Sequence, residues 1–128
     1  MSLIFFYVTC THYLNIKKII MTNFVNLTPH NINLNDGTVF PKSGTVAGVG
    51  EQNGEFVDGI RQDSLSGITG LPDPVEGTIF IVSMPTLMGL RAMGSERKDV
   101  VTPITRGEGV VKHPKEGFII SVPGLRTF

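Results

Sequence analysis

Tryptophan is absent from this 128-residue chain, and cysteine occurs once, at Cys10. A lone cysteine closes no intramolecular disulfide, and beyond it the chain has no thiol for redox or thiolate-metal chemistry. Long charge runs are missing as well. Lys plus Arg and Asp plus Glu both number 11, and like charges adjoin in nothing longer than pairs such as Lys17-Lys18 and Arg97-Lys98. Binding to duplex nucleic acid or to anionic lipid needs clustered cations, so neither duplex nucleic acid nor a membrane is an expected partner. No apolar run is long enough to span a bilayer; Leu3 to Val8 is far too short. Its flanks are also in the wrong order for a secretory signal, because Lys17 and Lys18 follow the apolar stretch and no small-x-small cleavage site is clear. A cytoplasmic location is therefore the expectation.

What the chain does have is turn chemistry. With 15 Gly and 8 Pro beside 41% hydrophobic residues, the composition suits a folded domain with many turns. A chain of this length forms one domain, since halves would be too small to bury a core. Met21 opens MTNFVNLTPHNINL, where strand-like alternation starts at once. Residues 1–20 are therefore expected to be a non-conforming extension upstream of the natural start, and residues 21–128 a single β-rich domain. That domain has no cysteine and a net charge near −2, because losing Lys17 and Lys18 leaves 9 basic against 11 acidic side chains. An amphipathic arm for oligomer contacts is the alternative use of the extension.

From Phe24 onward apolar positions recur at a spacing of two, in short segments separated by Gly, Pro, Asn and Asp. Asn31 to Asn35 alternates, Asp36-Gly37 suits a type I′ turn, and Thr38 to Phe40 returns, which predicts a hairpin. Lys42-Ser43-Gly44 makes a second turn after Pro41. Thr45 to Gln52 predicts a strand that Asn53-Gly54 folds back onto Glu55 to Arg61. Ser64 to Glu76 contains Gly67, Gly70, Pro72 and Pro74 and is expected to be a connecting loop. Thr78 to Ser83 is β-branched and continuously apolar at its centre, the pattern of a central strand buried on both faces. Pro85 then suits the first turn of a helix capped by Ser83, with Leu87, Met88, Leu90, Arg91 and Met93 at helical spacing up to Gly94. Val100-Val101 predicts a short strand, and Gly109–Lys112, a turn at His113–Gly117 and Phe118–Val122 predict a third hairpin. The expected fold is mostly β (α+β): a compact antiparallel sheet or open barrel built of hairpins, with one short helix after a buried strand.

Catalytic signatures are scarce. Gly48-Val49-Gly50-Glu51-Gln52-Asn53 lacks the third glycine of a dinucleotide loop and no helix follows it. Walker loops, G-x-S-x-G, H-E-x-x-H and C-x-x-C are all missing. His30 and His113 have no carboxylate or histidine neighbour at ligand spacing, so neither a metal nor a cofactor is implied. His30 is read as a residue shaping entry to the first hairpin, or as a ligand-contacting or acid-base group. Asn26-Leu27-Thr28 matches the glycosylation pattern, which has no consequence without secretion. Within Ser95 to Asp99, Arg97 is expected to pair with Asp99 on a solvated loop, or with Arg91 and Arg106 to grip a phosphate or carboxylate. Ser83 is read as a helix N-cap at a junction whose amides favour anions.

Five strings, Val25-Asn26-Leu27-Thr28-Pro29-His30, Phe40 to Ala47, Gly70-Leu71-Pro72-Asp73-Pro74, Gly77 to Ser83 and Arg97 to Pro103, together resemble a group of uncharacterised small proteins of bacteriophages and bacterial mobile elements. The resemblance spans nearly the whole chain after Met21 and implies provenance rather than an activity. It suggests a phage-type accessory protein that binds a small anionic ligand, nucleotide-like in one version, or a host protein, antagonising host defence by sequestration without catalysis. For such a ligand, Arg91, Arg97 and Arg106 would take phosphate, His30 and Ser43 would make polar contacts and Phe80 would stack on a base, with Asp99 a further candidate for the same site. The alternatives are a minor virion protein and a small hydrolase or lyase using His30 with Asp99 or Asp58. A homo-oligomer is expected, because a small β-rich chain has exposed edges to cover.

Overall fold

The computed structural model describes residues 22–128. The expected extension, residues 1–20, therefore lies outside the described residues. Twelve short strands and one helix follow in the order β1 (Asn23–Asn26), β2 (Ile32–Asn33), β3 (Val39–Phe40), β4 (Gly48–Gln52), β5 (Phe56–Val57), β6 (Ile60–Arg61), β7 (Ser64–Thr69), β8 (Thr78–Ile81), α1 (Met84–Ala92), β9 (Val100–Pro103), β10 (Val111–Lys112), β11 (Ile119–Ser121) and β12 (Leu125–Arg126). Among the described residues, the β-rich α+β class and one short helix after a buried strand are as expected.

The principal sheet has the order β1-β8-β9-β12. Strand β8 is central, as its apolar run predicts, and it is buried on both faces. Phe80 and Val82 join one core with Leu27, Ala47, Leu87, Leu90 and Val100, while Ile81 joins a second core with Ile32 and Val122. The sheet is not antiparallel throughout. Strands β1 and β8 pair in parallel with Val25 beside Phe80, and β8 and β9 pair in parallel with Ile81 beside Val101. Only β12 runs antiparallel to β9. Among the described residues no sheet closes into a barrel. The chain from β8 through α1 to β9 is a β-α-β crossover, which parallel neighbours require because no tight turn can join them.

Two turns differ from expectation. In the first hairpin Ile32 pairs with Phe40 and Asn33 with Val39. Gly37 alone has positive φ there (96°), and its N–H donates to the Leu34 carbonyl at 3.0 Å. Asp36 instead accepts the Thr38 N–H on its carboxylate at 2.9 Å, so the turn is not type I′ but a turn followed by a glycine bulge. In the second region β4 pairs with β7, Val49 beside Ile68, and not with the segment after Asn53-Gly54. The tight turn is Asp58-Gly59, both at positive φ (52° and 81°), joining β5 to β6. Gly54 serves another purpose: a Cβ there would lie 1.7 Å from the Gln62 carbonyl oxygen. Ser64–Thr69 is thus a strand rather than a loop, and residues 48–69 form one long arm tipped by the β5–β6 hairpin. The base of the arm packs on α1, where a Cβ on Gly89 would meet Val49 Cγ2 at 2.9 Å. The third hairpin forms as expected from β10 and β11, with His113 Nδ1 accepting the Lys115 and Glu116 amides at 3.2 and 3.0 Å across its turn.

Candidate functional site

Strands β1, β8 and β9 are parallel, so their C-terminal ends share one edge of the sheet. The parallel ladder stops there for a chemical reason. Val82 N–H donates to the Val101 carbonyl at 2.8 Å, and the next donor along β9 would be residue 103, a proline with no N–H. Beyond that point the chain leaving β8 turns into α1 and the chain leaving β9 turns away. In the crevice so opened lies a cavity of about 740 Å³. Crevices outside the carboxyl ends of parallel strands are the usual ligand sites of open α/β sheets, and a volume of this order suits a small organic molecule.

The wall comes from all three strand ends: Thr28, Pro29 and His30 after β1, Ser83, Met84 and Pro85 after β8, and Thr102, Pro103 and Thr105 from β9. The opposite side is largely apolar, formed by Ile32 with Phe118, Ile119, Ile120 and Val122 of the third hairpin, and Asn31, Asn33 and Ser121 are its polar members. No Asp, Glu, Lys or Arg belongs to the wall.

The loop after β1 is held by Asn26, which is 2% exposed. Its Nδ2 donates to the carbonyls of His30 and Phe40, both at 2.8 Å, and its Oδ1 accepts from the Thr28 N–H (2.9 Å) and the Thr28 hydroxyl (2.6 Å). The glycosylation-pattern asparagine is therefore an internal hub that shapes the cavity rim.

On the sheet side, Ser83 occupies the N-cap position of α1 in extended conformation but makes no side-chain cap. Its hydroxyl shares a 2.8 Å hydrogen bond with Thr86 Oγ1 instead. The first intrahelical bond is Leu87 N–H to the Ser83 carbonyl, Pro85 has no N–H, and no acidic residue lies in the first turn. The positive end of the helix is thus uncompensated by protein charge where Ser83 and Met84 meet the cavity. Thr102, in the row beside Val82, is 1% exposed, and its hydroxyl is buried without a hydrogen-bond partner. Alternation from Val100 directs it to the α1 face of the sheet.

The residues expected at a site do not converge. Of the seven, only His30 lines the cavity. Ser43 closes its own turn with the backbone of Thr45. Phe80 is a core residue, 3% exposed, with the Arg97 guanidinium 5.8 Å from its ring centroid, so base stacking falls to no open face here. Arg97 is bidentate to Asp99 at 2.9 and 2.7 Å and donates to the Pro72 carbonyl at 2.9 Å. The Asp99 carboxyl is held below its ordinary range chiefly by the Arg97 hydrogen bonds. Arg91 spends its guanidinium on the carbonyls of Ser95, Arg97 and Phe128 and on the Thr127 hydroxyl, pinning the C-terminal residues. Arg106 is exposed in the loop after β9. His30 and Asp99 follow and precede parallel strands and so belong to opposite ends of the sheet, and Asp58 is at the arm tip. The paired acid-base reading of His30 has no carboxylate to work with. Among the described residues no cluster of three His, Cys, Asp or Glu could hold a metal, and no helix is long and apolar enough to cross a membrane.

No protein-family model, curated protein or solved structure matches the chain.

Proposed function

We propose that the chain is a non-catalytic binding protein that holds a small ligand in the cavity at the ends of β1, β8 and β9. The observation that carries this reading is a cavity of about 740 Å³ that combines a largely apolar side with the start of a helix and is lined by no Asp, Glu, Lys or Arg. Such a site binds without supplying the paired acid and base of hydrolysis. Sequestration by a phage-type accessory protein in its host is the biological setting that the resemblance favours, and it is compatible with a ligand held whole. The three arginines contribute little to this reading, since two are consumed by internal partners. Native mass spectrometry of protein purified from its own host tests it. One retained small molecule per chain is expected, lost when Ile120→Trp fills the cavity; retention unchanged by that substitution overturns the reading.

A second reading, contact with another protein through the arm, is favoured by the exposure of Phe56 (71%), Ile60 (64%), Val57 (54%) and Leu65 (53%). Glu51, Glu55, Asp58 and Asp63 outnumber Arg61 around them, which suits a host protein with a basic rim better than a second copy of the chain. Sedimentation equilibrium separates it from the homo-oligomer expected from the sequence: an association state that Phe56→Ser leaves unchanged is expected, and an oligomer dispersed by Phe56→Ser assigns the surface to self-association.

A further inference from the structure

Resting on the cavity reading above, we infer that His113 is a pH-sensitive latch on the hairpin that forms one side of the cavity: its neutral imidazole holds that wall in place, and a second proton on the ring releases it. The side chain acts as an acceptor. His113 Nδ1 takes the Lys115 and Glu116 amides at 3.2 and 3.0 Å, so the proton of the neutral ring is on Nε2. A doubly protonated imidazole carries an N–H at both nitrogens and accepts nowhere, so the same two amides would then face another donor. Histidine is the side chain whose charge changes between about pH 5 and 8.

The same residue ties the rest of the turn together. Its N–H donates to the Phe118 carbonyl at 2.8 Å, its carbonyl accepts the Gly117 N–H at 3.0 Å, and its ring stacks on Phe118 with centroids 4.8 Å apart. Phe118, Ile119 and Ile120 line the cavity directly after this turn. Little else holds the tip. The β10–β11 ladder pairs Val111 with Ser121 and Lys112 with Ile119, with a bulge between them, and so short a two-stranded ribbon is marginal in water without its turn. The bonds to the first hairpin gather toward the base: Val122 N–H to the Asn33 carbonyl (2.9 Å), Ser121 Oγ to Asn35 Oδ1 (2.6 Å), Asn35 Nδ2 to the Gly109 carbonyl (2.7 Å) and Asn33 Nδ2 to the Ile120 carbonyl (3.3 Å). A released turn therefore frees Phe118 while Val122 stays anchored.

Surrounding charge does not hold the protonated ring in place. The hairpin itself carries Lys112, Lys115 and Glu116, the loop before it Arg106 and Glu108, and the first hairpin packed on it Asp36 and Lys42. The ion pairs of the described residues, Arg61 with Asp63 and Arg97 with Asp99, do not include His113. A charged ring would gain attraction to the Phe118 face, but an exposed contact of that kind is worth less than two amide hydrogen bonds lost together. His30, the other histidine of the described residues, lies on the strand-end side of the cavity, so variants of His113 separate the two.

The test is native-state hydrogen exchange of the 128-residue chain at about pH 7.5 and about pH 5, with each rate taken relative to its intrinsic value at that pH. The amides of Gly117 and of position 113 report the turn and the place of Phe118, and the Val122 amide reports the base. Protection of the first two is expected to fall about tenfold at the lower pH, the effect of losing two hydrogen bonds, while that of Val122 holds. His113→Asn, whose carboxamide oxygen accepts amides two and three residues on and takes no proton in this range, is expected to keep its protection at both pH values. His113→Ala is expected to lose it at both. A turn unprotected at the higher pH, unchanged protection in the parent chain, an equal fall in His113→Asn, a fall that Val122 shares, or full protection in His113→Ala overturns the inference. None of these outcomes touches the cavity reading, which stands or falls on the molecule retained in native mass spectrometry and its loss in Ile120→Trp.

Discussion

The β8-α1-β9 unit and the arm of residues 48–69 meet at one helix, yet they hold their shapes by different means. In the unit, Ile81, Val82, Leu87 and Val100 are fully buried, and parallel pairing forces the crossover that covers one face of the sheet. In the arm, Phe56, Val57, Ile60 and Leu65 are each more than half exposed, and the shape rests on a tight turn, a two-stranded ladder and an exposed ion pair, Arg61 with Asp63 at 2.6 Å. Apolar burial stabilises the first, and local backbone chemistry the second, which is marginal for a two-stranded hairpin in water. The cavity belongs to the first region because its walls need rigid strand ends. The arm presents surface.

Truncating one apolar side chain in each region breaks or upholds that contrast most directly. Ile81→Ala is expected to lower unfolding free energy by about 4 kcal/mol, the cavity cost of a fully buried aliphatic, measured by urea denaturation. Phe56→Ala, though it removes more atoms, is expected to stay within about 0.5 kcal/mol of the parent chain. Comparable losses from both would mean that the arm tip is packed in solution and the two regions are not different in kind. Next in size comes Asn26→Ala, which removes four hydrogen bonds and takes one donor each from the His30 and Phe40 carbonyls, the Thr28 hydroxyl remaining on His30. A loss of about 3 kcal/mol is expected in the same assay, with the cavity rim loosened, so that ligand affinity falls beyond what the stability change explains.

Ion pairs sharpen the comparison, because each region has one bidentate pair. Arg97 lowers the Asp99 carboxyl, and Arg61 and then the Gly54 amide lower Asp63. A carboxyl lowered in the folded state stabilises fully above its unfolded value, near 4, and that stability is lost as pH falls through the folded value. Asp99, with its side chain 20% exposed, packs beside the core. Asp99→Asn is expected to remove about 1 kcal/mol of stability at pH 7 and to flatten the decline of the unfolding midpoint below pH 4. Asp63→Asn is expected to leave the global acid transition in place. An acid limb that follows Asp63 instead would couple the arm to global unfolding.

How much of this was legible in the residues follows the same division. Local signals were readable: Asp36-Gly37 marked a hairpin, the apolar run at Thr78–Ser83 marked the central strand, and Pro85 to Met93 marked the helix. Pairing between distant segments was not. Strand β1 finds β8 across the whole arm, and parallel partners leave no turn residue to announce them. Two dipeptides, Asn53-Gly54 and Asp58-Gly59, satisfied the same turn rule, and choosing between them needed the ladder of β4 with β7, whose alternation is blurred by Gly67 and by a bulge at Gly50/Glu51. Charge misled about the site. Arg91, Arg97 and Asp99 drew notice as ligand-binding types, yet they satisfy one another and nearby carbonyls. The residues that form the cavity, Thr102 and the Ile119-Ile120 wall, are of ordinary type, and Asn26 was legible only as a modification pattern. Only Thr102-Pro103, a threonine beside a ladder-ending proline at the close of an apolar strand, carried a hint.

The smallest expected effect tests whether the arm opens by itself. Asp58 and Gly59 both have positive φ, a conformation that glycine adopts at no steric cost and alanine does not. Gly59→Ala should therefore destabilise the β5–β6 hairpin by about 1 kcal/mol, with little effect on the global unfolding midpoint. Native-state hydrogen exchange reads both quantities at once. The Gln62 amide, bonded to the Glu55 carbonyl at 2.9 Å, reports the arm, and the Val82 amide, bonded to the Val101 carbonyl at 2.8 Å, reports the parallel unit. Exchange at Gln62 is expected to quicken about fivefold and at Val82 to stay as it was, because the tip can open without disturbing the helix that anchors its base. Equal acceleration at both amides would show that arm and core open as one body, and would end the distinction between a region held by burial and a region held by its turns.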